Sequence, residues 1–88
     1  MFINVKKLNS KAKLPERATA TSAGADLCAC IDDDVVLMPG DRKLIPTGLA
    51  IAVPTGYGGF VFARSGLSSK FGVSLANCVG VIATTGER

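Results

Sequence analysis

An all-β sandwich or jelly roll is the fold this sequence predicts, from three observations. Short apolar or alternating runs recur along the chain, turn residues separate them at close spacing, and no segment carries a convincing amphipathic helical period. Ten glycines and four prolines supply the turns. The composition, 48% hydrophobic and 19% charged, is that of a globular chain rather than a disordered one. With 88 residues the chain reads as a single domain, 1–88, small enough to leave much of its surface in water and to gain from a partner.

The elements follow in order. Phe2-Ile3-Asn4-Val5-Lys6 alternates apolar and polar side chains, as a half-buried first strand does. Residues 11–17 are polar, contain Pro15 and read as a connecting loop. Asp26-Leu27-Cys28-Ala29-Cys30-Ile31 reads as a second strand, and Asp32, Asp33 and Asp34 mark a turn before a third run over 35–38. Pro39-Gly40 suits the centre of a type II turn, because proline presets φ at the first position and glycine takes φ > 0 at the second. Lys43-Leu44-Ile45 is a short strand ending at Pro46; another follows over 49–53, and Pro54-Thr55-Gly56 turns the chain again. Further strands are predicted over 59–63 and 73–76, with a short helical turn over 65–70 between them. The total is six or seven strands. A closed pair of sheets uses about eight, so the pattern predicts an edge left unpaired.

Bulk properties exclude several functions. The formal charge of +3 is modest, and Lys6, Lys7, Lys11, Lys13 and Arg17 near the start read as a solvated surface. One tyrosine, no tryptophan and no interleaving of aromatic and basic side chains speak against nucleic acid as a partner. Lys6 and Lys7 interrupt the opening and no long apolar run follows, so neither a secretory signal nor a membrane span fits. Cys28, Cys30 and Cys78 form no Cys-x-x-Cys pair, and there is no histidine. That argues against zinc, a disulfide framework and Ser-His-Asp or Cys-His catalysis, and for reduced thiols in a cytoplasmic protein.

Three short stretches carry polar chemistry. In Arg64-Ser65-Gly66 a guanidinium, a hydroxyl and a glycine amide follow a strand, a grouping that suits phosphate oxygens and equally suits a solvated turn. In Ser22-Ala23-Gly24-Ala25-Asp26-Leu27 a small-residue loop leads to one acid. Asp26 is placed either to hold a hydrated divalent cation or to bond loop amides. In Asn77-Cys78-Val79-Gly80-Val81-Ile82 two strand-like pieces flank a glycine, forming either an ordinary turn or a hairpin whose amides meet the edge of a base.

Taken in order with Leu44-Ile45-Pro46-Thr47-Gly48-Leu49-Ala50, these stretches resemble the trimeric dUTP diphosphatases (dUTPases). The Ser22 to Leu27 stretch is similar to that family's first motif, residues 64–72 to its second, and residues 77–82 to the start of its third. Gly66 separates the chain from the related dCTP deaminases, which typically carry a second serine there. The resemblance implies a jelly-roll, or distorted β-barrel, fold assembled as a homotrimer, and a hydrolase that converts dUTP to dUMP and pyrophosphate with Mg²⁺. It further implies that Asp26 positions the metal through water. Arg64, Ser65 and Gly66 would contact phosphate oxygens, while Asn77 and the backbone around Gly80 would read uracil.

The likeness stops after Ile82. The family pattern continues with an aspartate that activates water and then a tyrosine, whereas this chain reads Ala83-Thr84-Thr85-Gly86. Alanine accepts no proton, so the chain as written is expected to be impaired or inactive and the fold incomplete at its C-terminus. A non-catalytic nucleotide-binding or oligomerisation module on the same fold is the alternative, and a structural β-domain with coincidental motifs a further one. The residues Ala-Thr-Thr-Gly-Glu-Arg can be encoded as GCN-ACN-ACN-GGN-GAR-AGR; read from the third base, that string permits Asp-Tyr-Arg-Gly-Glu. A shift of reading frame just after Ile82 is therefore expected, against divergence or truncation there. Sequencing the coding DNA checks it, and a shifted frame without Asp-Tyr-Arg removes the explanation.

Overall fold

The computed structural model describes residues 2–83. Its elements in chain order are β1 (Asn4–Lys7), β2 (Leu49–Ala52), β3 (Gly59–Val61), α1 (Ser65–Phe71) and β4 (Gly80–Ile82). β1 neighbours β2 in one two-stranded sheet, and β3 pairs with β4 in a second, antiparallel one. The described residues are β-rich with one short helix, as the turn-punctuated sequence predicts, and neither sheet closes into a barrel among them. The chain divides into two compact units, Val5–Ile51 and residues 2–4 with 52–83.

In the unit Val5–Ile51, the Leu8 amide donates to the Gly48 carbonyl at 2.7 Å, just past the end of β1. Glu16 and Asp26 exchange two backbone hydrogen bonds (3.2 and 2.6 Å) as an isolated antiparallel bridge, and the Cys30 amide donates to the Pro46 carbonyl at 2.7 Å. Ala12 is 3% exposed and the one buried apolar side chain among the described residues. Gly48 is needed here for two reasons. Its φ of +69° lies in the left-handed region, and an added Cβ would stand 2.9 Å from the Ala12 Cβ and 3.1 Å from the Cys30 Sγ. The turn at Pro39-Gly40 forms as predicted. Gly40 takes φ +85°, the Asp41 amide donates to the Met38 carbonyl at 2.9 Å, and the Asp41 Oδ2 accepts from the Met38 amide at 2.9 Å. The Lys11–Asp32 ion pair (3.1 Å) joins side chains 74% and 78% exposed, where water screening leaves it little weight.

Four predicted strands differ from the structure. Residues 26–31, 35–38, 43–45 and 73–76 carry no assigned strand, beyond the single bridge at Asp26. A short apolar run bounded by turn residues reports a segment suited to extended structure; it does not supply the ladder partner that makes a strand. Pro46 also lacks an amide to continue a ladder beyond Lys43-Leu44-Ile45.

In the other unit the register is Gly59↔Ile82, Phe60↔Val81 and Val61↔Gly80. The turn before β3 is closed by the Tyr57 amide donating to the Pro54 carbonyl at 3.1 Å, with Gly56 at φ +88°. The cross-strand pair Phe60 and Val81 is 61% and 54% exposed, so this face of the sheet is apolar and uncovered among the described residues.

Gly48→Ala is expected to lower the unfolding free energy by about 2–4 kcal/mol, because left-handed strain adds to overpacking. Gly40→Ala, with open space around it, should cost only the conformational part, about 1–2 kcal/mol. Urea titration of the two variants checks the order, and equal losses would refute the close packing at Gly48.

Candidate functional site

Arg64 follows β3 by three residues and caps α1 with extended backbone, φ −74° and ψ 135°. The Arg64 side chain itself makes no capping hydrogen bond to the helix. The Arg64 carbonyl accepts from the Ser68 amide at 3.0 Å, which starts the helix. Ser65 and Gly66 form its exposed first turn. An added Cβ at Gly66 would meet nothing within 4 Å, and φ there is not left-handed. Neither packing nor backbone conformation within the chain requires glycine at 66. The helical turn expected over 65–70 is present and runs to Phe71. It ends at Gly72, whose left-handed φ of 68° lets its amide bond back to the Leu67 and Ser68 carbonyls. The Ser68 hydroxyl then donates to the Val73 carbonyl at 2.8 Å and holds the exit.

The third stretch ends in β4, which pairs with β3, the strand that leads into the second stretch. The Cys78 amide donates to the Leu75 carbonyl at 3.1 Å, and the Val79 amide to the Asn77 carbonyl at 2.7 Å. The chain therefore reverses tightly before β4. A Cβ built on Gly80 would lie 3.8 Å from the Asn77 side-chain nitrogen and 3.4 Å from the Val61 Cβ, so Asn77 and Gly80 are neighbours. Because Val61 pairs with Gly80, the exit of β3 towards Arg64 and the entry of β4 from Asn77 lie at the same end of one sheet. Ala83 leaves at the opposite end, past the Gly59↔Ile82 pair, and is exposed.

Asp26 belongs to the other unit, Val5–Ile51. Its backbone is fixed by the reciprocal bridge to Glu16, and it is half-buried. The loop before it is held by Ser22, whose Oγ accepts from the Thr19 amide at 3.0 Å and lies 2.8 Å from the Thr19 Oγ1. Among the described residues, no three His, Cys, Asp or Glu side chains gather where they could hold a metal ion. No helix among them is long and apolar enough to cross a membrane. Two structural residues escaped the sequence reading. Ser68 shows no signal beyond its place in the helical turn, and Cys78 takes φ +64°, a conformation that sequence normally flags with glycine or asparagine.

A β-rich chain that gathers a cationic Arg-Ser-Gly turn and a glycine hairpin at one sheet end has the makings of a nucleotide site, and comparison with known proteins bears on that class. The family model for dUTPase matches residues 10–86, and the chain belongs to that family. It is 51% identical over 80 residues to the deoxyuridine 5'-triphosphate nucleotidohydrolase of Syntrophotalea carbinolica, covering 91% of this chain and 54% of that protein. It is 58% identical over 71 residues to the enzyme of the same name from Desulfitobacterium hafniense, covering 80% and 47%. The Wolbachia pipientis protein of that name is 48% identical over 82 residues, covering 91% and 54%. The chain thus spans about half the length of the curated relatives it matches.

The β3–β4 pairing makes a graded prediction. Gly59→Ala sets a Cβ 3.2 Å from the Val53 side chain and 3.3 Å from the Ile82 Cβ, whereas Gly80→Ala meets ordinary contacts. Thermal unfolding should show a loss of about 1–3 kcal/mol for the first and within about 0.5 kcal/mol for the second. The reverse order would contradict the register.

Proposed function

We propose that the protein acts in dUTP hydrolysis, as a dUTP diphosphatase chain that takes dUTP to dUMP and pyrophosphate. Membership of the dUTPase family and the printed names of its relatives support the substrate class. The observation that carries the reading is the shared sheet end, where the exit of β3 to Arg64-Ser65-Gly66 adjoins the Asn77–Gly80 entry of β4.

Within this reading Arg64 supplies charge-assisted hydrogen bonds to phosphate oxygens, and the Ser65 hydroxyl adds a neutral donor. Gly66 lets backbone amides approach the same oxygens. The Asn77 side-chain amide and the backbone at Gly80 meet the polar edge of uracil. Donors held in place before substrate arrives lose little on binding, and this is how positioning lowers the barrier to in-line attack by water on phosphorus.

Asp26 is the single acid of the first motif. One carboxylate without a cage suits a hydrated Mg²⁺ bound chiefly by substrate phosphates, so the donor set fits that ion held through water. When bound, Mg²⁺ neutralises phosphate charge. A jelly-roll assembly as a homotrimer belongs to the same proposal, and the apolar, uncovered Phe60–Val81 face is consistent with more protein packing on this unit.

Ala83 gives the proposal its particular form. A methyl group cannot take a proton from water, so the general-base contribution, about 10²–10⁴-fold in rate, is missing at that position. The same residue favours the second reading, a nucleotide-binding module without turnover. Calorimetry with a non-hydrolysable dUTP analogue and Mg²⁺ should show binding that Arg64→Ala weakens about tenfold or more. Pyrophosphate release from dUTP should be slow and should rise in Ala83→Asp. Lack of any binding by the parent chain would overturn the proposed function, and rapid hydrolysis by the parent would refute the role given to position 83.

A further inference from the structure

Cys78 is the one non-glycine residue with positive φ among the described residues, at +64°. It is the middle residue of a three-residue turn closed by the Val79 amide on the Asn77 carbonyl at 2.7 Å, and its own amide is taken by the Leu75 carbonyl at 3.1 Å. A γ-turn with positive central φ is rare and strained, and non-glycine residues persist in it only when their surroundings over-determine it. The Cys78 side chain is exposed, so packing of the thiol does not account for the strained backbone. What the turn does achieve is local. It satisfies the Asn77 carbonyl and the Val79 amide between themselves, and it brings the Asn77 side-chain amide back beside Gly80, where β4 begins opposite Val61.

We propose that Cys78 is a positioning residue whose left-handed backbone holds the Asn77 amide and the Gly80 backbone together as one reading surface for the polar edge of the uracil base. The inference rests on the function proposed above. Its chemistry is directional: the edge of uracil alternates acceptor and donor, so donors and acceptors from two residues serve it only while their spacing is fixed. Were residue 78 to relax to negative φ, the γ-turn would open or invert, and either change redirects the chain and takes the Asn77 amide away from Gly80. The phosphate-facing residues Arg64-Ser65-Gly66 lie on α1 and its cap, outside this turn, and would be unaffected.

The test compares Cys78→Val with Cys78→Gly in the full chain, using dUMP, dCMP and inorganic pyrophosphate as calorimetric probes. Valine resists the left-handed region and glycine enters it without steric cost. Cys78→Val should weaken dUMP binding about tenfold and narrow the preference for dUMP over dCMP, with pyrophosphate affinity kept. Cys78→Gly should bind dUMP at least as tightly as the parent and melt no lower. A parent that binds dUMP with Cys78→Val equal to it overturns the inference alone. Equal loss of dUMP and pyrophosphate affinity in Cys78→Val, with Cys78→Gly also weaker than the parent, overturns it as well. A parent that binds neither nucleotide ends the functional reading and this inference with it.

Discussion

Everything arranged around the candidate site depends on one pairing, Val61 opposite Gly80 in the antiparallel ladder of β3 and β4. Antiparallel register joins the end of one strand to the start of the next, so two sequence-distant loops must emerge side by side. Here the loops are the Arg64-Ser65-Gly66 cap of α1 and the Asn77–Gly80 turn. A slip of one residue would send Phe60 and Val81 to the other face and separate the two loops by a strand step. At the far end of the ladder the Gly59 backbone faces Val53 and Ile82 with little room for a side chain.

Backbone conformation does much of the remaining work. Left-handed residues stop or turn the chain where polar groups are needed: Gly72 ends α1, Gly56 precedes β3, and Cys78 precedes β4. In the unit Val5–Ile51, Gly48 lets its own backbone pass close to Ala12 and Cys30. With a single buried apolar side chain among the described residues, shape here is governed less by a hydrophobic core than by turns and short ladders. Phe60, Phe62, Leu67 and Phe71 keep much of their apolar surface exposed.

Site chemistry and site competence separate at Ile82. In the function proposed above, the polar groups up to that residue are the ones that would hold the nucleotide and its hydrated cation. Position 83 offers a methyl group instead of a proton acceptor. Binding and positioning rest on fixed donors, while activation of water needs a titratable group at one place, so a chain can keep the first function and lose the second.

The sequence by itself determined the family, the order of the polar motifs and the glycine turns, because the turns are local: Gly40 and Gly56 act through their own φ. It also marked residues 65–70 as helical and residues 59–63 as extended, each close to the observed bounds. Tertiary structure alone decided which extended runs became strands. Residues 26–31 and 35–38 are apolar runs as suited to extended structure as the run that contains β1, yet only runs that meet a partner backbone form a ladder, and a partner is not written in the run itself. The same is true of Cys78. Its left-handed turn is imposed by hydrogen bonds to Leu75 and between Asn77 and Val79, a constraint from neighbours that no intrinsic preference of cysteine announces.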